Sequence, residues 1–416
     1  MDETGDTRPR LRALEALPTQ IDGQEVVILR DTQGYSDERL VLSPGAAFLA
    51  GLMDGERTRL DIQADWVRAT GEVLPSESLA ELLDALDQAR FLDNKNFARH
   101  RGEVERAFRA ATTRDARHAG GAYAADPEEL EAQFRAWNKA ASLGEIAPAA
   151  PTGRLKALLA PHIDFHRGGP TYARAYAELV RHSDADRYVI FGISHAPMDT
   201  PFALTRKDFA TPHGLARTDR DFVDALARRT TSDFFADEWN HAGEHSAEFQ
   251  AVALTHALGK SRAFSIVPIL ASPPAECLEP GGPSPWDVPR VREFFDAMLA
   301  TLAAAPGRTV LIGGVDLAHK GMQFGEARVT PEQLEAIARD DAALLAEVSA
   351  GDAEGFMARL RSDGNRNNIC GVAAIYTVTK LVAAMGAASA EQLDYQQWTD
   401  GVSTVSFAAM SFLADH

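Results

Sequence analysis

Three short apolar runs in this chain each lead directly into a histidine. Leu155–Ala160 runs into Pro161-His162-Ile163-Asp164-Phe165-His166, Tyr188–Gly192 into Ile193-Ser194-His195, and Thr309–Val315 into Asp316-Leu317-Ala318-His319. Read as buried strands, these runs would deliver three imidazoles to one sheet edge. In open α/β sheets that edge, beyond the carboxyl ends of the strands, is where ligands bind. A single histidine is more often a hydrogen-bonded structural residue than a ligand. Three at equivalent topological positions favour a transition metal, for which neutral imidazole is the commonest protein ligand.

Two further segments carry groups of the same kind. Glu244-His245-Ser246 precedes an apolar helical pattern, and with His241 it spells His-x-x-Glu-His, the inverted zinc-peptidase pattern. That chemistry needs both histidines one turn apart on a firm helix, with the glutamate as base. Gly243 interrupts the segment, and Asn240 and Ser246 favour a loop and a helix cap. Glu244 and His245 are therefore expected to cap the helix or to stand behind the ligands. Cys370, in Asn367-Asn368-Ile369-Cys370-Gly371, sits just ahead of another apolar helical run. It reads either as a small buried residue or as a thiolate whose pKa a helix N-terminus or a metal lowers. Cys277 lies in a Pro/Gly-rich loop and reads as incidental. Two cysteines make no disulfide framework, and a cytosolic setting would keep them reduced.

The elements that must position these groups alternate between buried strands and amphipathic helices. Strands are predicted over 155–160, 188–192, 264–270, 309–315 and 403–413. Helices are predicted over 127–141, 171–182, 219–229, 246–258, 289–305, 331–349 and 370–385. This pattern predicts an α/β fold with a mostly parallel sheet covered by helices on both faces. Ala147-Pro148-Ala149-Ala150-Pro151 reads as a loop within that domain, and no internal repeat is present.

The first quarter reads differently. Residues 1–24 show no periodic pattern. A hairpin-like pair follows, Val26–Leu29 and Leu40–Leu42, and then Ser43-Pro44, a serine N-cap with proline at the first helical position. Further helices are expected from Thr58 and after Pro75-Ser76, with a charged connector over 94–111. The division is thus a small winged-helix-like α+β domain, residues 1–113, and an α/β domain, residues 114–416.

At 416 residues and 45% hydrophobic, the chain has the length for two domains and a large core. Its net charge of −18 is spread over both parts, which argues against nucleic-acid and anionic-membrane partners. No run approaches the roughly 18 apolar residues of a membrane helix. The first residues lack the basic start and apolar core of a secretory signal. A cytoplasmic location is the expectation.

Taken in order, the motifs resemble the Memo family, which includes the bacterial AmmeMemoRadiSam system protein B. The likeness runs from Arg117-His118-Ala119-Gly120 and Tyr123 through Pro161-His162, Gly192-Ile193-Ser194-His195 and Thr211-Pro212. It continues through Glu244-His245-Ser246-Ala247-Glu248, Asp316-Leu317-Ala318-His319 and Cys370-Gly371 to Val405–Ala409. The resemblance implies a fold similar to class III extradiol dioxygenases and a metal held by His162, His195 and Cys370. Asp316 and His319 would stand beside it, with His319 as acid/base oriented by Asp316. Iron is the implied metal, with copper or zinc as alternatives. The family's usual Pro-His-Ala-Gly-Tyr is here Pro161-His162-Ile163-Asp164-Phe165, so Asp164 or His166 could substitute as a ligand, and Ser194, Glu244 and His245 would line the pocket. The N-terminal part resembles, more weakly, a PqqD-like peptide-recognition domain, through Leu42-Ser43-Pro44, Leu52–Thr58 and the Leu79–Leu86 helix. Such domains bind leader peptides by β-augmentation.

Three functions follow as expectations. The first is an oxygen-using metal-dependent oxidoreductase acting on a small molecule or a peptide. The second is a metal- or peptide-binding protein using the same pocket without turnover. The third is a zinc peptidase using His241 and His245.

Overall fold

The structure, a computed structural model, describes residues 8–143, 151–259, 261–386 and 389–414. Most of the loop read at 147–151 lies outside the described residues. The chain divides into two compact units between Ala110 and Ala111.

In the first unit, β1 (Glu15–Ile21), β2 (Gln24–Arg30) and β3 (Arg39–Leu42) form an antiparallel sheet in that order. Strand β1 lies in the stretch that showed no pattern, because most of its side chains are exposed and no alternation marks it. As an edge strand it tolerates Pro18, whose missing N–H weakens no central ladder. Helices α1 (Pro44–Gly51), α2 (Arg59–Thr70), α3 (Ser76–Gln88) and α4 (Lys95–Ala110) follow. Ser43 caps α1 by accepting from the Ala46 N–H, and Thr58 with Asp61 forms a capping box on α2. Leu79, Leu83 and Leu86 of α3 pack with Leu29, Leu42 and Ile62 in a separate core.

The second unit runs β4 (Thr113–Arg114), α5 (Pro127–Ala140), β5 (Leu155–Ala160), α6 (Phe165–His182), β6 (Arg187–Ile193), β7 (Phe202–Leu204), β8 (Asp208–Thr211) and β9 (Gly214–Ala216). It continues α7 (Arg220–Ala227), α8 (Ser246–Leu258), β10 (Ser265–Ala271), α9 (Pro289–Ala304), β11 (Thr309–Gly314) and β12 (Asp316–Gly321). It closes with α10 (Pro331–Ser349), α11 (Ala353–Asp363), α12 (Val372–Ala384), β13 (Ser389–Thr399) and β14 (Ser403–Leu413). The large sheet has the order β12-β14-β5-β11-β6-β10-β7, with β13 on β14, and β4-β8-β9 form a small one.

Strands β5, β11, β6 and β10 are parallel, as the apolar runs separated by helices predict. Strands β12, β13, β14 and β7 are antiparallel, so the sheet as a whole is mixed. The β13–β14 link is too short for a crossover helix, and a tight turn forces antiparallel pairing. Residues 316–321, which follow the third apolar run, form β12 by pairing with β14. Helix α6 begins at Phe165, ahead of the 171–182 span expected, and keeps Pro170 inside it, because Phe165 and Tyr172 are both fully buried in the core. Helix α11 has ordinary end signals, an Asp352 cap and a left-handed Gly364, that the apolar pattern alone did not reveal.

Core residues alternate along the parallel strands. Ala157, Leu159, Val189 and Phe191 face α9 and α12, whereas Leu158, Ala160, Tyr188 and Ile190 face α6 and α8. Each such buried aliphatic or aromatic side chain contributes about 1.5–3 kcal/mol. No described helix is long and apolar enough to cross a membrane.

One buried charge tests this core. Asp341 of α10 accepts from Tyr395 Oη (2.8 Å) and Ser406 Oγ (2.6 Å), and its Oδ1 accepts no hydrogen bond among the described residues. Burial pushes its carboxyl up to about 6. The folded state then holds a proton that the unfolded chain has released, so stability falls as pH rises from about 4 to about 6, by at most ~3 kcal/mol. Asp341→Asn should therefore be the more stable protein at pH 7.5, by about 1–3 kcal/mol, and should lose that advantage at pH 4. Urea unfolding of both proteins at the two pH values checks this, and an unchanged difference between them would refute it.

Candidate metal centre

Strands β5, β11 and β6 are neighbours, and their registers align the ends. Ala160 pairs with Gly314, and Gly313 with Phe191. The segments that follow therefore begin at one edge of the parallel strands, carrying His162, Asp316 and His195. Two glycines let α8 sit against that edge. A Cβ on Gly314 would lie 2.7 Å from the Ser246 carbonyl oxygen, and one on Gly192 would lie 2.6 Å from Ser246 Oγ. Ser246 Oγ in turn accepts from the Ile193 N–H (3.0 Å) and donates to the Ile193 carbonyl (2.9 Å). The first turn of α8 is thus pinned to the end of β6, and it brings Glu244 and His245 with it.

The result is a cluster of imidazoles. His162, His195 and His245 offer ring nitrogens that all lie within 4.8 Å of one another. The His195 and His245 rings stack at 4.7 Å, and His162 meets each nearly edge-on at 5.4 Å. His162 is almost fully buried. Its Nδ1 donates to the Gly314 carbonyl (3.0 Å), which leaves Nε2 as the lone-pair nitrogen. That Nε2 lies 3.2 Å from Cys370 Sγ, so the thiol stands against His162 beside the three-ring set.

Glu244 holds the other two rings. Its carboxylate accepts from His195 Nδ1 (3.0 Å), the His195 N–H (2.9 Å) and the Ser246 N–H (2.9 Å), and lies 3.3 Å from His245 Nδ1. Burial by itself would raise the Glu244 carboxyl, but the two imidazoles and the Ser246 N–H outweigh it and hold the group well below the usual range. Burial pushes His245 well below the usual imidazole range, with Glu244 opposing and the rings of His195, His162 and His118 reinforcing. Burial also pushes the Cys370 thiol well up, and the Asp316 carboxylate adds to this.

Asp316 and His319 are placed differently from expectation. Asp316 Oδ1 accepts from the His162 N–H (3.0 Å), and Oδ2 lies 3.7 Å from His162 Nε2. His319 Nδ1 instead donates to the Leu317 carbonyl (3.0 Å), so its orientation comes from its own backbone segment. Burial lowers its pKa, against Asp316, with the rings of His162 and His195 contributing in the same sense as burial.

Other candidates fall away from the cluster. Asp164 is ion-paired with Arg167, and His166 is exposed on the first turn of α6. Ser194 Oγ donates to the Ala196 carbonyl (2.7 Å) and accepts from Asn240, so it shapes its own loop. His241 lies on a 3-10 turn (Glu238–Ala242), fully buried, with Nε2 donating to the Ala203 carbonyl (3.0 Å). Burial pushes it down to about 4, which makes it a neutral core histidine. Cys277 is a core residue whose thiol burial pushes up to about 11.

Residues 114–411 match the family described as Memo-like protein. The chain belongs to the Memo family. It is similar to a MEMO1 family protein of Aquifex aeolicus, 26% identical over 409 residues, covering 97% of this chain and all of the relative. A MEMO1 family protein of Thermus thermophilus is 27% identical over 346 residues, 83% of this chain and 96% of its own length. The Aquifex alignment includes most of the N-terminal unit, so likeness is not confined to the Memo-like region.

Most of the ordered motifs of the Memo resemblance lie at this crevice, Thr211-Pro212 on the β8–β9 hairpin excepted, and they include two whose purpose residue type alone did not reveal. Arg114 is buried, ion-paired with Glu248, and donates to the carbonyls of His241 (2.7 Å) and Glu244 (2.7 Å). Glu248 also accepts from the His118 N–H (3.0 Å) and from Tyr123 Oη, while His118 Nε2 donates to the Gly243 carbonyl (2.9 Å). Together they fix the segment that presents Glu244 and His245.

Replacing His241 with alanine should lower unfolding stability by about 2–4 kcal/mol through a cavity and a lost hydrogen bond. The histidine ring resonances of the cluster should stay in place in NMR spectra. Displacement of those resonances would return His241 to the site.

Proposed function

We propose that the chain is a metal-dependent oxidoreductase of the non-haem type, with iron as the favoured ion and copper next. The observation that carries this reading is the set of three imidazole nitrogens within 4.8 Å, with a thiol 3.2 Å from one of them. The residues fit such an ion. The Nδ1 atoms of His162 and His195 are already engaged by a carbonyl and a carboxylate, the backing that ligating imidazoles require. Mixed imidazole and thiolate donors suit iron or copper and can also hold zinc.

His162 and His195 would hold the ion, with Cys370 and His245 as the flanking donors. A bound redox-active ion supplies Lewis acidity and one-electron chemistry there. Glu244 keeps His195 and His245 turned inward, and Asp316 anchors the backbone of His162. His319, kept neutral by burial with Nδ1 committed to Leu317, offers Nε2 as a proton acceptor. The substrate is a small molecule, or a peptide bound by the N-terminal unit. In support of the peptide, β3 is an edge strand with Val41 more than half exposed, and the nearby Phe48 of α1 is also exposed.

A second reading has its own observation. His162, His195, His245 and Cys370 number four donors, enough to close a tetrahedral site and bind without turnover. Elemental analysis of anaerobically purified protein separates the two. The oxidoreductase reading expects iron or copper in the wild type, lost in His162→Ala and Cys370→Ala and largely retained in His245→Ala, with oxygen uptake in a substrate screen. Zinc alone, lost equally in these three variants and in His195→Ala and accompanied by no oxygen uptake, would overturn it in favour of the closed site. Glu244→Gln should weaken metal affinity about 10–100-fold in chelator competition, and unchanged affinity would remove its orienting role.

A further inference from the structure

A second cluster of metal-ligand type lies at the other end of α8. Glu131 of α5, His213 in the turn between β8 and β9, and His256 of α8 offer ligand atoms that all lie within 4.8 Å of one another. His256 follows His245 by eleven residues, roughly 16 Å along the helix at its rise per residue. The two clusters therefore share no ligand and no pocket.

Each of the three side chains is positioned by packing. The His256 ring stacks on Phe134 of α5, with centroids 3.8 Å apart and planes 8° from parallel. Phe134 is itself buried in the core, so the plane of the imidazole is fixed. Glu131 sits one turn before Phe134 on α5 and brings Oε2 to 3.4 Å from His256 Nδ1. Its Oε1 lies 3.7 Å from Arg135, which anchors the far side of the carboxylate. His213 stands at the tip of the hairpin, where Thr211 pairs with Gly214 and Thr211 Oγ1 donates to the Gly214 carbonyl (2.7 Å). Its ring centroid is 5.6 Å from that of His256. Phe209 and Ala216 of the hairpin pack in the same core as Leu254 and Leu258 of α8, which seats the tip beside the helix.

We propose that Glu131, His213 and His256 form a second divalent-metal site, of the zinc type, distinct from the imidazole–thiol cluster. Two imidazoles and one carboxylate are a standard zinc donor set, with water completing the tetrahedron. Zinc ligands at about 2.0–2.2 Å stand roughly 3.3 Å apart, so rotations of the carboxylate and of the hairpin histidine by about an ångström close the site. All three residues are partly exposed. Bound there, zinc ties α5, the β8–β9 hairpin and the end of α8 together. With no thiolate in the set, it is a harder site than the first.

The test is zinc stoichiometry and affinity on the full chain. Wild-type protein is expected to bind two zinc equivalents, and the His213→Asn/His256→Gln variant one. In a His162→Ala/Cys370→Ala background one equivalent is expected to remain, with affinity falling about tenfold or more on adding Glu131→Gln. Cobalt substituted at this site in that background should give ligand-field bands without a thiolate charge-transfer band. Should the background variant not fold, the wild-type comparison with His213→Asn/His256→Gln stands alone. Equal zinc equivalents and equal affinity in those two proteins would overturn the proposal and leave Glu131 and His256 as an ion pair.

Discussion

The crevice depends on one buried carboxylate. Glu244 is removed from water at the start of α8, where an uncompensated charge would cost several kcal/mol. It is compensated from three sides, by the Nδ1 atoms of His195 and His245 and by backbone N–H groups of His195 and Ser246. The positive end of the α8 dipole adds to this balance. A group so placed cannot move without losing several hydrogen bonds at once, and two imidazoles move only with it.

That carboxylate is held in turn by a second buried pair. Arg114 and Glu248 are both removed from solvent, and Arg114 reaches the carbonyls that bracket the His241–Glu244 turn. The arrangement explains why Memo-like likeness begins at residue 114, well ahead of the first apolar strand. The first residues of the α/β unit brace a segment more than 120 positions away. The glycines at 192 and 314 serve the same end, because only a missing side chain lets α8 come within contact distance of the strand ends.

Helix α8 has side chains of metal-ligand type at both ends, with Glu244 and His245 before its first turn and His256 in its last. Between them it is buried on nearly every face, so it behaves as a rigid strut between two groups of side chains. The N-terminal unit has a core of its own and brings an open sheet edge at β3.

Much was legible in the residues. The strands 155–160 and 403–413 and the helices 246–258 and 331–349 follow their apolar patterns, because burial on a fixed period leaves a local record. The placement of His162 and His195 follows from where β5 and β6 stop, and the ordered motifs sufficed for the family. Strand β1 left no such record because it is exposed, and the antiparallel strands around the parallel centre depend on partners far along the chain. Tertiary structure alone decided that His245 completes the three rings, that Asp316 serves His162 instead of His319, and that Asp164, His166 and Ser194 stand outside the three-ring set. Periodicity records which face of an element is covered. The partner that a buried polar group selects is set by neighbours 49 or 154 residues away, for which local sequence holds no trace.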